Sequence, residues 1–88
     1  MNKKLVVISA IWCPSCLILK KHLKRIREEF PNIEIQELDY DFDSDEVSIY
    51  EVGKLLPVIV MKDGSEEKRR LIGEKSYDEI KEFIGEGE

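Results

Sequence analysis

A five-residue motif holding both cysteines, Trp12-Cys13-Pro14-Ser15-Cys16, follows closely after the continuous apolar run Leu5-Val6-Val7-Ile8. A short apolar run of this kind predicts a strand that is buried on both of its faces. The motif lies where such a strand would give way to a helix, and the unpaired N–H groups of a helix start favour a thiolate. Since the chain has 2 cysteines in all, the pattern indicates a redox site.

A helix is predicted from Cys13 to about Glu29, ended by Pro31. Its apolar stripe recurs at intervals of three and four: Cys16, Leu19, Leu23, Ile26 and Phe30. Because Cys16 lies on this stripe, we expect it to be shielded and to act as the resolving thiol. We expect Cys13, at the helix start, to be the exposed nucleophile. Pro14 suits the first helical turn because it lacks an N–H that would otherwise be unpaired.

The rest of the chain continues to alternate between strand and helix patterns. Strands are predicted at 4–9, 33–38, 58–61 and about 67–72, with a hairpin turn at Asp63-Gly64. Capping-box spacings at Asp43/Glu46 and Ser76/Glu79 predict two more helices, the first stopped at Gly53. The second should pack Tyr77, Ile80 and Ile84. The order βαβαββα predicts one α/β domain over residues 1–88.

Composition and charge restrict the partners that we expect. The net charge is −5, and no aromatic residues are interleaved among the bases of residues 20–27, which argues against nucleic acid. No stretch approaches the roughly 20 apolar residues that cross a membrane. The short apolar run near the start lacks the cleavage site of a signal peptide. We therefore expect a cytoplasmic protein, in which a lone cysteine pair is catalytic or metal-binding rather than a structural staple.

Metal binding is the main alternative use of these residue types. A Cys-x-x-Cys motif can supply half of a zinc site, but there is no second pair, and the one histidine, His22, lies among lysines and is expected to face solvent. The alternating acids Asp39 to Asp45 fail the EF-hand pattern, because Ser44 and Tyr50 occupy its glycine and glutamate positions. We expect no metal and no bound cofactor beyond a redox-active Cys13–Cys16 disulfide.

Over nearly its whole length the chain resembles the thioredoxin superfamily. Trp12 and the two cysteines match the active-site motif, and Pro57, between a short helix and an apolar strand, matches the cis-proline that faces it. The segments Lys62-Asp63-Gly64, Leu71-Ile72-Gly73 and 79–84 match the hairpin and the end of thioredoxin. The resemblance implies a thioredoxin-like α/β fold: a four-stranded mixed sheet in the order 2-1-3-4, flanked by three helices.

Four departures from the patterns of thioredoxins and glutaredoxins concern the site. Thioredoxin has a buried aspartate six residues before the nucleophile, where this chain has Val7, and the accompanying lysine aligns with Glu37. We hypothesise that Glu37 accepts the proton of Cys16; otherwise water does. Glutaredoxins have a threonine-valine pair before the cis-proline and a double glycine later, whereas this chain has Leu55-Leu56 and the single Gly73. The Cys-Pro-x-Cys order is nevertheless glutaredoxin-like.

The resemblance implies a thiol–disulfide oxidoreductase that reduces protein disulfides. Its substrate-binding surface would comprise Trp12, Pro14, Leu56, Pro57 and Gly73. The electron donor would be a flavin-dependent thioredoxin reductase or glutathione, and we expect a monomer. Three alternatives remain open: a non-enzymatic redox-sensing or interaction module of the same fold, a glutathione-linked glutaredoxin-like reductase, and a soft-metal carrier.

Overall fold

Residues 3–86 are described in the computed structural model. The elements are β1 (Lys3–Ser9), α1 (Pro14–Glu29), β2 (Glu34–Asp39), α2 (Ser44–Ser48), β3 (Val58–Asp63), β4 (Glu66–Ile72) and α3 (Tyr77–Glu86). This sequence of elements confirms the predicted order βαβαββα. Residues 1, 2, 87 and 88 of the predicted domain lie outside the described residues.

The four strands form one mixed sheet in the order β2-β1-β3-β4, which confirms the predicted topology. β1 runs parallel to β2 and antiparallel to β3, and β3 and β4 form an antiparallel hairpin. The two central strands are apolar on both faces, whereas β4, at an edge, carries the charged run 66–70. Charged side chains on an edge strand oppose further strand pairing.

Helices cover both faces of the sheet, and the side chains of β1 and β3 alternate between them. On one face, Leu5, Val7, Ile59 and Met61 pack against the apolar stripes of α1 and α3. On the other face, Val6, Ile8, Val58 and Val60 pack with Val47 of α2. This alternation follows from the period of two in a strand, and it explains why Leu5–Ile8 of β1 and Val58–Met61 of β3 are continuous apolar runs.

α1 begins within the cysteine motif, and the side that it buries is the predicted apolar stripe. Its buried residues are Cys16, Leu19, Leu23 and Ile26, and its last turn closes when the Phe30 N–H donates to the Ile26 carbonyl at 2.8 Å. At 16 residues it is the longest helix described. Within residues 3–86 no helix is both long and apolar enough to cross a membrane.

α2 differs from the prediction at both ends. It ends at Ser48, well before Gly53, and Glu51 then adopts a left-handed conformation with a φ of 51°. Asp43 stands at the N-cap, but its carboxylate accepts a hydrogen bond from the Asp39 N–H at 2.8 Å instead of from the helix. The predicted capping box with Glu46 is therefore wrong, because the turn after β2 uses the Asp43 side chain.

The predicted capping box of α3 is present. The Glu79 N–H donates to Ser76 Oγ at 3.1 Å, and the Ser76 N–H donates to Glu79 Oε1 at 3.3 Å. These two bonds satisfy backbone donors that the helix start leaves without helical partners. α3 buries Tyr77, Ile80 and Ile84 against the sheet, as predicted.

Replacing Ser76 with Ala should lower the free energy of unfolding by about 1 kcal/mol, because the Glu79 N–H loses its acceptor. Urea denaturation followed by circular dichroism measures this change. Ser76→Asp retains a capping oxygen and is the matched control, for which we expect a much smaller loss. Equal losses in the two variants would show that the cap does not stabilise α3.

Candidate active site

The cysteine motif lies where the carboxyl ends of the parallel strands β1 and β2 meet. The Tyr40 N–H, just past β2, donates to the Ser9 carbonyl at the end of β1 at 2.7 Å. From Ser9 the chain turns sharply into α1, and the Cys13 N–H donates to the Ala10 carbonyl at 3.2 Å. The strand order thus brings the motif and the loop after β2 to one edge of the sheet.

Cys13 is the N-cap residue of α1. Its extended backbone (φ −98°, ψ 112°) turns the sulfur back over the first turn, where it accepts a hydrogen bond from the Cys16 N–H at 3.3 Å. A thiolate accepts such a bond more strongly than a thiol, because its negative charge assists the interaction. Both cysteines are free thiols in this structure, which corresponds to the reduced form of the pair.

The two cysteines differ less in exposure than the sequence predicts. Cys16 is completely buried, as expected, but Cys13 is also buried, with 6% of its surface exposed. The expectation of a broadly exposed Cys13 is therefore wrong. Tyr40 and Leu56 pack against the cysteine pair, and the Cys13 thiol lies 3.9 Å from the Leu56 carbonyl oxygen. Leu56 therefore lies directly beside the sulfur that a reaction partner must reach.

Cys16 is held as a thiol. Burial raises the pKa of Cys16 from its ordinary value of 9.0 to about 12, and the hydrogen bond with Cys13 acts in the same direction. A hydrogen bond with the Ala10 backbone and the positive charge of Lys20 act against this rise in the Cys16 pKa without cancelling it. At neutral pH, Cys16 must therefore lose a proton before it can act as a nucleophile.

We expect iodoacetamide at neutral pH to alkylate Cys13 and to leave Cys16 unmodified. Alkylation requires the thiolate, and the raised pKa keeps Cys16 protonated until the pH approaches about 12. Peptide mapping by mass spectrometry locates the label, and the same reaction in urea should label both residues. Comparable labelling of Cys16 in the folded protein at neutral pH would contradict the assignment.

The loop before β3 and the residue after β4 complete one wall of the site. The Leu56–Pro57 peptide bond is cis, as predicted, and Pro57 is buried. The Gly73 N–H donates to the Pro57 carbonyl at 2.9 Å. Gly73 has a φ of 88°, a conformation that favours glycine. The structure thus joins Leu56, Pro57 and Gly73 in one wall, which contacts Cys13 through Leu56.

Trp12 and Pro14 form the exposed side of the motif. Trp12 is 59% exposed, although its indole N–H donates to Asp41 Oδ2 at 2.7 Å and its ring meets Tyr40 edge-on at 6.4 Å. Pro14 is exposed at the first position of α1. Both side chains are therefore exposed next to Cys13, where a docking chain can contact them.

Glu37 is not brought to the cysteines. It pairs with Val7 in the sheet register, but its carboxylate accepts a hydrogen bond from the Arg27 guanidinium at 2.8 Å. Arg27 lies eleven residues beyond Cys16 along α1, about 16 Å by the rise of a helix. The geometry gives no support to Glu37 as the proton acceptor of Cys16.

Metal ligands are not grouped at the site. No cluster of three or more His, Cys, Asp or Glu side chains suited to a metal ion occurs in the described part of the chain. His22 is partly buried and lies 5.9 Å from the Tyr77 ring, between centroids, so the expectation that it faces solvent is wrong. Its contact with α3 is a packing contact.

Three residues at the site were not predicted from the sequence. Tyr40 packs against the cysteines, Asp41 holds the Trp12 indole, and Glu74 accepts a hydrogen bond from Ser15 Oγ at 2.9 Å. Tyr40 and Asp41 could have been predicted from the sequence, because they follow β2, and loops that follow adjacent parallel strands lie at the same edge of the sheet. The sequence indicates Glu74 less directly, through its position immediately after Gly73, a predicted site residue.

Comparisons with known proteins agree with this geometry. A family model described as thioredoxin matches residues 1–86. A thioredoxin from Chlamydia pneumoniae is 34% identical over 80 residues, covering 91% of this chain and 74% of the relative. An H-type thioredoxin from Fagopyrum esculentum is 28% identical over 68 residues, covering 75% of this chain and 59% of the relative's length.

A solved structure agrees with the fold. The thioredoxin of Fasciola hepatica superposes with a TM-score of 0.90 at 21% identity, covering 99% of this chain and 82% of that one. The family match and the Cys13/Cys16 pair together support thiol–disulfide oxidoreductase chemistry at the site. On the family model and the Chlamydia relative, the chain belongs to the thioredoxin family.

Proposed function

We propose that this protein reduces disulfide bonds in other proteins, with Cys13 as the nucleophile and Cys16 as the resolving thiol. The observation that carries the proposal is the position of the Cys13 sulfur at the N-cap of α1, where it accepts the Cys16 N–H, with a completely buried second thiol one turn away. This arrangement provides one sulfur for attack and protects the other until a mixed disulfide has formed.

In the first step, the Cys13 thiolate attacks one sulfur of the substrate disulfide. A Cys13–substrate S–S bond forms, the substrate S–S bond breaks, and the other substrate sulfur leaves as a thiolate that takes up a proton. The Leu56 carbonyl, 3.9 Å from the Cys13 sulfur, belongs to the backbone that lies beside the incoming chain. That backbone would pair with the substrate as an edge strand does, which gives binding without sequence stringency.

In the second step, Cys16 loses its proton and attacks the Cys13 sulfur. The Cys13–Cys16 disulfide forms, the Cys13–substrate bond breaks, and the substrate leaves with its second sulfur reduced, so two electrons have passed to it. The raised pKa of Cys16 makes deprotonation a demanding part of this step. With Glu37 bonded to Arg27, we propose that water accepts the proton.

The oxidised pair must then receive two electrons from a donor. We propose a flavin-dependent thioredoxin reductase in this role, in preference to glutathione, because Leu55-Leu56 and the single Gly73 depart from the glutaredoxin pattern. We also propose that the protein acts in the cytoplasm, as a monomer and with no cofactor beyond the Cys13–Cys16 pair.

The decisive experiment traps the first intermediate. In the Cys16→Ser variant, Cys13 can attack but the mixed disulfide cannot be resolved, so partners stay attached and can be identified by mass spectrometry. We expect a reproducible set of proteins joined through Cys13, and none with the Cys13→Ser/Cys16→Ser control. Trapping of glutathione alone would favour the glutaredoxin-like alternative. If nothing is trapped, the protein is not a disulfide reductase, and a redox-sensing module becomes the better reading.

A further inference from the structure

Glu74 is attached to the cysteine motif by a contact between distant parts of the chain. Ser15, between the two cysteines, donates its hydroxyl hydrogen to Glu74 Oε1 at 2.9 Å. The bond spans 59 residues of sequence and joins the first turn of α1 to the segment between β4 and α3. A carboxylate is thereby fixed at the rim of the site, although it is not part of the motif.

The backbone on either side of Glu74 is also held. Gly73, immediately before it, donates its N–H to the Pro57 carbonyl at 2.9 Å. Ser76, two residues after it, is fixed by the capping box of α3. Glu74 is therefore placed by the same wall that presents Leu56 and Pro57 to Cys13, and little side-chain freedom is lost when it meets a partner.

One carboxylate oxygen of Glu74 is available to a partner. Glu74 is exposed, and it accepts the Ser15 hydrogen bond through Oε1, so among residues 3–86 its other oxygen, Oε2, has no hydrogen-bond partner. Exposed apolar side chains occur on the segments that meet at the site: Ile11 and Trp12 before the motif, Leu55 before the cis-proline and Ile72 at the end of β4. A fixed negative charge at the rim of the site favours a partner with a positive charge at the matching position.

We propose that Glu74 makes this site prefer disulfides whose reactive cysteine is flanked by Lys or Arg over those flanked by Asp or Glu. The inference rests on the proposed reduction of protein disulfides and names a substrate class for that same reaction, with the same two-electron transfer from the cysteine pair. Lys75 follows Glu74 with the opposite charge. The hydrogen bond from Ser15 holds Glu74 against the motif, and Asp41, which accepts a hydrogen bond from Trp12, adds a second carboxylate next to the motif.

Three disulfide-linked peptide dimers provide the test. Each peptide has one cysteine, flanked on both sides by Lys, Gln or Glu, and is mixed with an excess of pre-reduced protein, acid-quenched and analysed by chromatography. Exposed ion pairs change rates by about two- to fivefold. We therefore expect the Lys peptide to react about two- to fivefold faster than the Gln peptide, and the Glu peptide slower by a similar factor. The preference should shrink in about 0.5 M NaCl because of screening.

Two substitutions and one control assign the preference to Glu74. Glu74→Gln keeps an oxygen for the Ser15 bond and should clearly lower the Lys-to-Glu rate ratio, and Glu74→Lys should lower it further. Glu28→Gln changes the net charge equally but lies at the far end of α1, and it should keep the wild-type ratio.

The outcomes separate this inference from the proposed function. If wild-type protein reduces all three peptides at equal rates, or if Glu74→Gln keeps the full preference, the inference is overturned while disulfide reduction stands. If none of the three peptides is reduced, the Gln peptide included, the proposed function itself fails.

Discussion

Replacing Cys13 with Ser should lower the rate of disulfide reduction by about a thousandfold or more while the fold stays intact. A serine hydroxyl does not form a disulfide, and the buried Cys16 cannot reach a substrate sulfur. Serine is also a preferred N-cap residue, so its oxygen can replace the sulfur that accepts the Cys16 N–H. The rate of insulin disulfide reduction in the presence of dithiothreitol measures the effect, and urea denaturation measures the stability.

Cys13→Ala gives the matched comparison. It is equally inactive, but it lacks the capping acceptor and should be about 0.5–2 kcal/mol less stable than Cys13→Ser. Together the two variants separate the chemical role of Cys13 from its structural role at the start of α1. If Cys13→Ser were nearly as active as the wild type, Cys16 would have to be the nucleophile, and the proposed mechanism would be overturned.

Replacing Val7 with Asp should destabilise the protein and also accelerate the resolving step. Val7 is 1% exposed in the core beneath α1 and α3, and a carboxylate there should cost about 3–5 kcal/mol when ionised. The same carboxylate would restore the residue that thioredoxins carry six positions before the nucleophile. It would thus provide a general base for the Cys16 proton, and such bases accelerate proton transfer by about a hundredfold or more.

The measurement compares resolution of a pre-formed Cys13 mixed disulfide as a function of pH. We expect Val7→Asp to resolve faster than the wild type around neutral pH and to show an additional inflection from the new carboxyl group. Val7→Asn has a similar size and polarity without the base, so it should lose stability and gain no rate. If both variants resolve at the wild-type rate while remaining folded, proton removal from Cys16 does not limit the reaction.

The architecture was largely predictable because each major element has a strong local pattern. The apolar run before the motif and the run after Pro57 became the two central strands, and the stripe from Cys16 to Ile26 became the buried side of α1. A strand that is buried on both faces reads as a continuous apolar run, whereas a helix that is buried on one side has apolar residues every three or four positions. The two patterns therefore also indicate which segments form the sheet and which form the helices that cover it.

The details of the site were less predictable, because they depend on side chains from separate loops. The sequence places Glu37 on the strand face that includes Ile33 and Ile35, but periodicity does not reveal that Arg27 would reach its carboxylate. Likewise, Cys13 stands at a helix start, where exposure is the usual expectation, and only the packed fold shows that Tyr40 and Leu56 cover it. Such contacts are set by tertiary packing, which local patterns do not record.

The position of Trp12 beside Cys13 should make the redox state of this protein visible in its fluorescence. Trp12 is the single tryptophan of the chain, and it is 59% exposed next to Cys13 while the main core lies under α1 and α3. Its fluorescence should therefore change when the disulfide forms or when a substrate binds, and it should not depend on unfolding of the core. An emission change without a change in far-ultraviolet dichroism would signal turnover at the motif, so the protein carries its own label for rapid-mixing kinetics.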